Sequence, residues 1–334
     1  MKMLPSNFDS PEGLVLYGGG EGLAPLRLAH LEPGKALPCH IFMAATAVPG
    51  EFALTWPRGG ALPERAQDMV WGYFAVAEAE EVLSYLLFRV GKIGAADEGP
   101  EPLQLLADTL LVWTQHFFCH DAARTPARLA EAQSLIRALT PRLGQTDNAL
   151  ETVGRLRRHD SGLFSHCLNV SLLALAFALH LGWKEREAET LALGAVLHDV
   201  GMMPWAQKTF HQTAPLSDQD WEEIKAHPQR GAALLQALEQ IPAEILPMIR
   251  QHHENPDGSG YPLGLSASDT HPWARALRIL DSYEALTSLR PWRPPVSGRQ
   301  ALRIMTSAWS GRGSYDQEFL ESFLGFCHQD KKGT

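Results

Sequence analysis

Nine of the fourteen histidines fall between His159 and His271, and several stand beside an aspartate or a second histidine. In chain order the suggestive ones are His166 in FSHCLNVS, His198 and Asp199 in AVLHDVGMMP, His227 in IKAHPQRG, His252 and His253 in IRQHHENPDGSGYP, and Asp281 in ILDSYEALTSLRP. Imidazole is the commonest transition-metal ligand in proteins and carboxylate is its hard partner. A His/Asp set without cysteine therefore favours iron, manganese, nickel or zinc held through nitrogen and oxygen. Any one of these histidines is better explained as a cap or a core residue; the set is not. Adjacent side chains on a helix point about 100° apart, so a His-Asp pair at a helix end can place its imidazole on one metal while the carboxylate bridges to a second. Two metals roughly 3.5–4 Å apart suit in-line displacement at phosphorus.

A scaffold must bring these residues together. At 334 residues the chain is long enough for two domains. From Leu14 to about Val90 the runs LAPLRLAHL, HIFMAATA, EFALTW and YFAVA read as short strands between Pro and Gly turns, with one or two helices. Lys92 to Pro102, KIGAADEGPEP, reads as a linker. Beyond it apolar residues recur at helical spacing, and Thr125 before Pro126 has the form of a helix start. The expected architecture is α+β: a small α/β domain over 1–95, a linker and helical lead-in over 96–145, and an all-α bundle over 146–334.

Composition narrows the functions. With 45% hydrophobic and 20% charged residues the chain is built to pack, and a formal charge of −9 supplies no footprint for duplex nucleic acid. The four cysteines form no C-x-x-C pair, so neither a disulfide framework nor a thiolate zinc site is suggested, and a cytoplasmic setting fits. The opening MKMLPSNFDSPEG lacks the pattern of a secretory signal. Ser161 to Trp183 contains no Lys, Arg, Asp or Glu and is long enough to cross a membrane, but His166, Asn169, Ser171 and His180 interrupt it. A helix buried in a large core is expected there instead.

The ordered series His166, His198-Asp199, His227, His252-His253, Gly260-Tyr261-Pro262 and Asp281 resembles the HD-GYP family of the HD phosphohydrolases, over about half the chain from Gly162 to Phe326. The resemblance implies an all-α HD-GYP helical bundle and a metal-dependent phosphodiesterase acting on cyclic di-GMP, yielding pGpG or GMP, with His198 and Asp199 central to catalysis. It implies two divalent metal ions, iron or manganese before nickel or zinc. His166, His198, Asp199 and Asp281 would hold one ion, and Asp199, His227, His252 and His253 the other. Two departures stand out. Gly162 occupies the place of a glutamate that supports a third metal in some members, which argues for two. Met202 replaces the lysine that follows the dyad's glycine, and a thioether cannot neutralise an oxyanion. Such a loss commonly costs about 10²–10³ in rate, so a sensor of cyclic di-GMP with little turnover is the alternative, and a hybrid cyclic dinucleotide is a third reading.

The resemblance extends to substrate contacts. Asn255 to Gly260 is dense in turn formers; Gly258 and Gly260 allow close backbone approach, and Tyr261 and Pro262 follow at the rim. Arg290 and Arg293 stand where the family carries basic residues that contact phosphate and guanine, with solvated loop charges as the alternative to that contact. Glu284 occupies the place of a second aspartate. His159, His180, His211 and His271 match no ligand position, and His116, Cys119 and His120 are assigned to helix packing. Signalling proteins docking on the GYP surface or the N-terminal domain, and a homodimer, are compatible with the sequence; a membrane is not expected.

Overall fold

A computed structural model describes residues 23–44, 52–64, 66, 69, 71–94, 97, 99–157, 162–205, 216–290 and 293–329. His159 and His211 lie outside them. The chain divides into two compact units, residues 1–120 and 121–334.

In the first unit, β1 (Leu23–Arg27), β2 (Ile41–Ala44), β3 (Phe52–Trp56) and β4 (Trp71–Ala75) form an antiparallel sheet in the order β1-β4-β2-β3. The four runs that read as strands are these four. Alternation in β1 buries Ala24 and Leu26 and leaves their neighbours half-exposed, the period-two pattern of a strand with one face on a core. Helix α1 (Ala79–Val90) packs against α2 (Pro100–Cys119), which is buried almost without interruption from Leu103 to Phe118. Within it Asp108 accepts from His30 at 2.9 Å and pairs with Arg27 at 3.0 Å. The division of the chain falls after α2, beyond the 95 expected from composition. Pro100–Pro102 of the Gly- and Pro-rich stretch already belong to α2, which lies within this unit.

The second unit is helical. Helix α3 (Pro126–Gly144) starts as expected, with the Thr125 hydroxyl accepting from the Arg128 amide. Then come α4 (Ala149–Leu156), α5 (Leu163–His180), α6 (Glu185–Leu197), a 3₁₀ segment (Val200–Trp205), α7 (Asp218–Lys225), α8 (His227–Gln236), α9 (Ile245–Gln251), α10 (Pro272–Thr287), α11 (Gly298–Arg312) and α12 (Gln317–Gln329). Helix α5 is the apolar run with the length of a membrane span, and 89% of it is buried inside the unit. It lies against α3, α4, α6, α10 and α12, and Phe177 meets Phe323 edge-on at 5.4 Å. His180 packs on Phe326, and His271 caps α10 by accepting from the Trp273 amide.

One close approach sets the spacing around the His-Asp dyad. A methyl group on Gly201 would lie 2.6 Å from the Gly231 amide nitrogen and closer still to the His227 carbonyl. Both obstacles are backbone, so neither can rotate away. Glycine therefore lets the segment after Asp199 press against the start of α8. Gly201→Ala should destabilise the protein by about 1–3 kcal/mol and loosen its metal binding, read as a lowered denaturation midpoint together with reduced metal content.

Candidate metal centre

Five imidazoles and two carboxylates converge in the second unit. His166 stands on the first turn of α5, His198 and Asp199 follow the end of α6, and His227 opens α8. His252 and His253 end α9, and Asp281 lies in α10. Asp199 is at the middle. Its Oδ2 lies 3.4 Å from His198 Nε2 and 3.7 Å from His166 Nε2; its Oδ1 lies 3.0 Å from His227 Nε2 and 3.7 Å from His252 Nε2. The ligand atoms of His166, His198 and Asp199 lie within 4.8 Å of one another, as do those of Asp199, His227, His252 and His253. Asp281 is 3.2 Å from His166 Nε2 and 4.0 Å from His253 Nδ1.

The rings are oriented for a cation. His198, His227 and His252 each direct Nδ1 at the backbone carbonyl three residues earlier, Ala195, Ile224 and Ile249, at 2.7, 2.8 and 2.8 Å. A carbonyl only accepts, so each Nδ1 carries a proton and Nε2 is the ring nitrogen turned inward. His227 Nε2 and His252 Nε2 face each other at 3.1 Å, and buried His198 Nε2 has no hydrogen-bond partner among the described residues. Facing lone pairs repel unless a cation or proton lies between them. Nitrogen and carboxylate donors in this arrangement fit a divalent transition metal.

His166 is oriented differently, by Glu284. The ring donates Nδ1–H to Glu284 Oε2 at 2.5 Å, while Asn169 Nδ2 donates to Oε1 at 2.9 Å, the Ser288 hydroxyl also donates to Oε1, and Arg157 Nη2 lies 3.4 Å away. Glu284 is 1% exposed and held well below the usual carboxylate range: burial opposes the charge, but His166, Arg157 and Arg290 outweigh it. Its role was not visible in the sequence, since a conservative Asp/Glu difference does not reveal a ring 118 residues away.

Glu254 is a second buried carboxylate that sequence reading passed over. Its two oxygens accept from the Leu263 and Leu265 amides at 2.7 and 3.0 Å, which ties down the loop carrying Gly258, Gly260, Tyr261 and Pro262. Gly258 has φ +78°, a left-handed conformation, and a Cβ on Gly260 would lie 2.5 Å from Glu254 Cα. Tyr261 stacks on His253 with centroids 4.6 Å apart, half-exposed like Pro262. The loop rim thus adjoins the cluster.

Arg290 and Arg293 are already engaged. Arg290 Nη2 is 3.7 Å from Glu284 Oε2. Arg293 donates to the Ala285, Leu286 and Pro294 carbonyls at 2.7, 3.0 and 3.1 Å. A phosphate would have to compete for both. Met202 is 3% exposed, and its amide bonds to the Asp199 carbonyl at 2.8 Å.

Charge in the cluster is unevenly held. Burial lowers the His166 and His198 pKa values, but Glu284 and Asp281 beside His166, and Asp199 beside His198, raise both above the ordinary value. Burial, with His198 and His227 adding to it, pushes His252 down to about 4. Asp199 lies well below the usual range despite burial, because His198 and His227 adjoin it.

The HD domain profile matches residues 129–319. The cyclic di-GMP phosphodiesterase PA4108 of Pseudomonas aeruginosa is 29% identical over 195 residues, 58% of this chain and 46% of that protein. The 3'3'-cGAMP-specific phosphodiesterase 2 of Vibrio cholerae is 31% identical over 181 residues, 53% of this chain and 33% of the relative. The matched stretch therefore spans less than half of each of these relatives. A solved structure, Bd1817, an HDG"Y"P protein from Bdellovibrio bacteriovorus, shares the fold with TM-score 0.66 at 18% identity, over 92% of this chain and 99% of its own.

Because their carboxylate neighbours favour protons on His166 and His198, a metal held by these rings would have to displace them. Apparent metal affinity should fall with falling pH, by about tenfold per pH unit for each proton displaced. Calorimetric titration in two buffers of different ionisation enthalpy measures the release; identical heats in both would refute it. Asp199→Ala should empty the whole centre, whereas His227→Ala should leave metal on the His166 side, both read by elemental analysis.

Proposed function

The chain belongs to the HD domain family, in its HD-GYP branch, and from that premise we propose that it hydrolyses the phosphodiester bonds of cyclic di-GMP to pGpG or GMP. The observation that carries the reading is Asp199, whose two oxygens face two separate sets of imidazole nitrogens, as a carboxylate shared by two ions would. In this reading His166, His198, Asp199 and Asp281 would hold one ion, and Asp199, His227, His252 and His253 the other. Iron or manganese is favoured over nickel or zinc. Ions held there would supply a water nucleophile of lowered pKa and charge stabilisation for an in-line displacement at phosphorus.

The protein's own groups do the rest. The Nδ1–carbonyl bonds fix the tautomers of His198, His227 and His252, and Glu284 fixes that of His166, so the donors need no reorganisation on binding. The loop held by Glu254 presents Gly258 and Gly260 as close-approach points and Tyr261 and Pro262 as an apolar rim for a base. Met202 contributes packing where the resemblance implies a lysine ammonium, so turnover is slow. Of the relatives named above one is a cyclic di-GMP phosphodiesterase and one a 3'3'-cGAMP-specific phosphodiesterase, and cyclic di-GMP is the better supported substrate because its relative matches more of this chain, 58% against 53%.

Metal-replete protein, loaded in turn with iron(II) and manganese(II), should form pGpG or GMP from cyclic di-GMP under single-turnover conditions. Met202→Lys should accelerate the reaction with metal content unchanged, since an added ammonium supplies electrostatic stabilisation. Chromatography of the products decides. Binding of cyclic di-GMP without any product over hours would replace the enzyme by a sensor.

A further inference from the structure

Arg278 is a cation beside the metal centre to which the reading above gives no role. It lies in α10 one turn before Asp281, on the same side of the helix, and is half-exposed. Nε donates to Asn255 Oδ1 and Nη1 to Ser282 Oγ, each at 3.3 Å, and the guanidinium carbon is 5.7 Å from the Tyr315 ring centroid. All three neighbours are neutral. Among the described residues Arg278 forms no ion pair, unlike Arg275, which pairs with Asp316, and Arg157 and Arg290, which flank Glu284.

Its position is at the substrate side of the cluster. Asn255 follows His253 by two residues and opens the loop bearing Tyr261, and Asn255 Nδ2 bonds onward to Ser259 Oγ at 3.0 Å. Tyr261 of that loop stacks on His253 at the rim, with ring centroids 4.6 Å apart. Its two bonds to neutral oxygens are long, and a guanidinium has five N–H donors, so donors remain for a ligand. A planar fork of this kind suits the paired non-bridging oxygens of a phosphodiester. The need is also local, because Met202 brings no charge and Arg290 and Arg293 are engaged elsewhere.

We propose that Arg278 binds the phosphodiester at the mouth of the metal centre, supplying the cationic contact that Met202 does not. The proposal rests on the phosphodiesterase reading for the identity of the substrate, but not for the anion contact itself. Arg278→Gln retains an amide that can reach Asn255 and Ser282 while removing the charge; Arg278→Lys retains the charge without the fork.

The test uses the full, metal-loaded chain and two probes, cyclic di-GMP and inorganic phosphate, titrated by calorimetry over a range of salt concentrations. Arg278→Gln should weaken both at least tenfold, about 1.4 kcal/mol, and flatten the salt dependence, with metal content and melting temperature unchanged. Arg278→Lys should recover part of the affinity. Undiminished binding by Arg278→Gln overturns the proposal. So does a loss that Arg278→Lys fails to recover and that accompanies lost metal, which would make Arg278 a fastening between α10 and the loop. If wild type binds phosphate but not cyclic di-GMP, the substrate reading fails while the phosphate arm still decides Arg278. If it binds neither, both fail.

Discussion

Everything in the helical unit is arranged around a buried carboxylate that needs positive charge on two sides. Asp199 is 6% exposed, and a lone ionised carboxylate at such depth is costly. The four imidazoles around it compensate only when protons or metal ions supply the charge. Bringing them together takes four helix ends, from α5, α6, α8 and α9. The Gly201 and Gly231 backbones must nearly touch to let two of those ends meet. The apolar bulk of α5, with Leu163 to Ala178 buried, provides the wall against which this polar cluster is assembled. The hydrophobic core and the metal centre are thus adjoining parts of one construction.

Much of this was legible along the chain. The strand runs and the helical second half followed from apolar periodicity, and the His/Asp set was conspicuous because histidine next to aspartate or histidine is unusual in a core. The membrane-length run resolved into a core helix for the reason its interruptions suggested, since His166 and Asn169 are partnered inside the protein. The extent of the first unit was harder to read. A Gly- and Pro-rich stretch marks a turn whether it joins domains or lies within one, and only the burial of α2 separates the two cases.

Residues that work through others left no local trace. Glu254 and Glu284 are ordinary acidic residues in sequence, and what distinguishes them is partners reached through the fold: two loop amides for one, an imidazole from α5 for the other. Arg278 reads as one more charge on an amphipathic helix until its neighbours are known to be neutral. Arg290 and Arg293 stand at positions that suggest ligand contacts, and their donors also meet Glu284 and the end of α10. Spacing conveys which residue types are available; it does not convey which hydrogen-bonding groups are already taken.

The two ways of holding the candidate ligand histidines differ in their exposure to mutation. His198, His227 and His252 lean on main-chain carbonyls of Ala195, Ile224 and Ile249, and every amino acid has a carbonyl. Substitution at those three positions can change packing but cannot delete the acceptor. His166 leans on a side chain, and that side chain on Asn169, Ser288 and Arg157. Genetic drift is therefore buffered on one half of the cluster and concentrated on the other, where a single codon change at Glu284 reaches His166, a proposed ligand, without altering any proposed ligand residue.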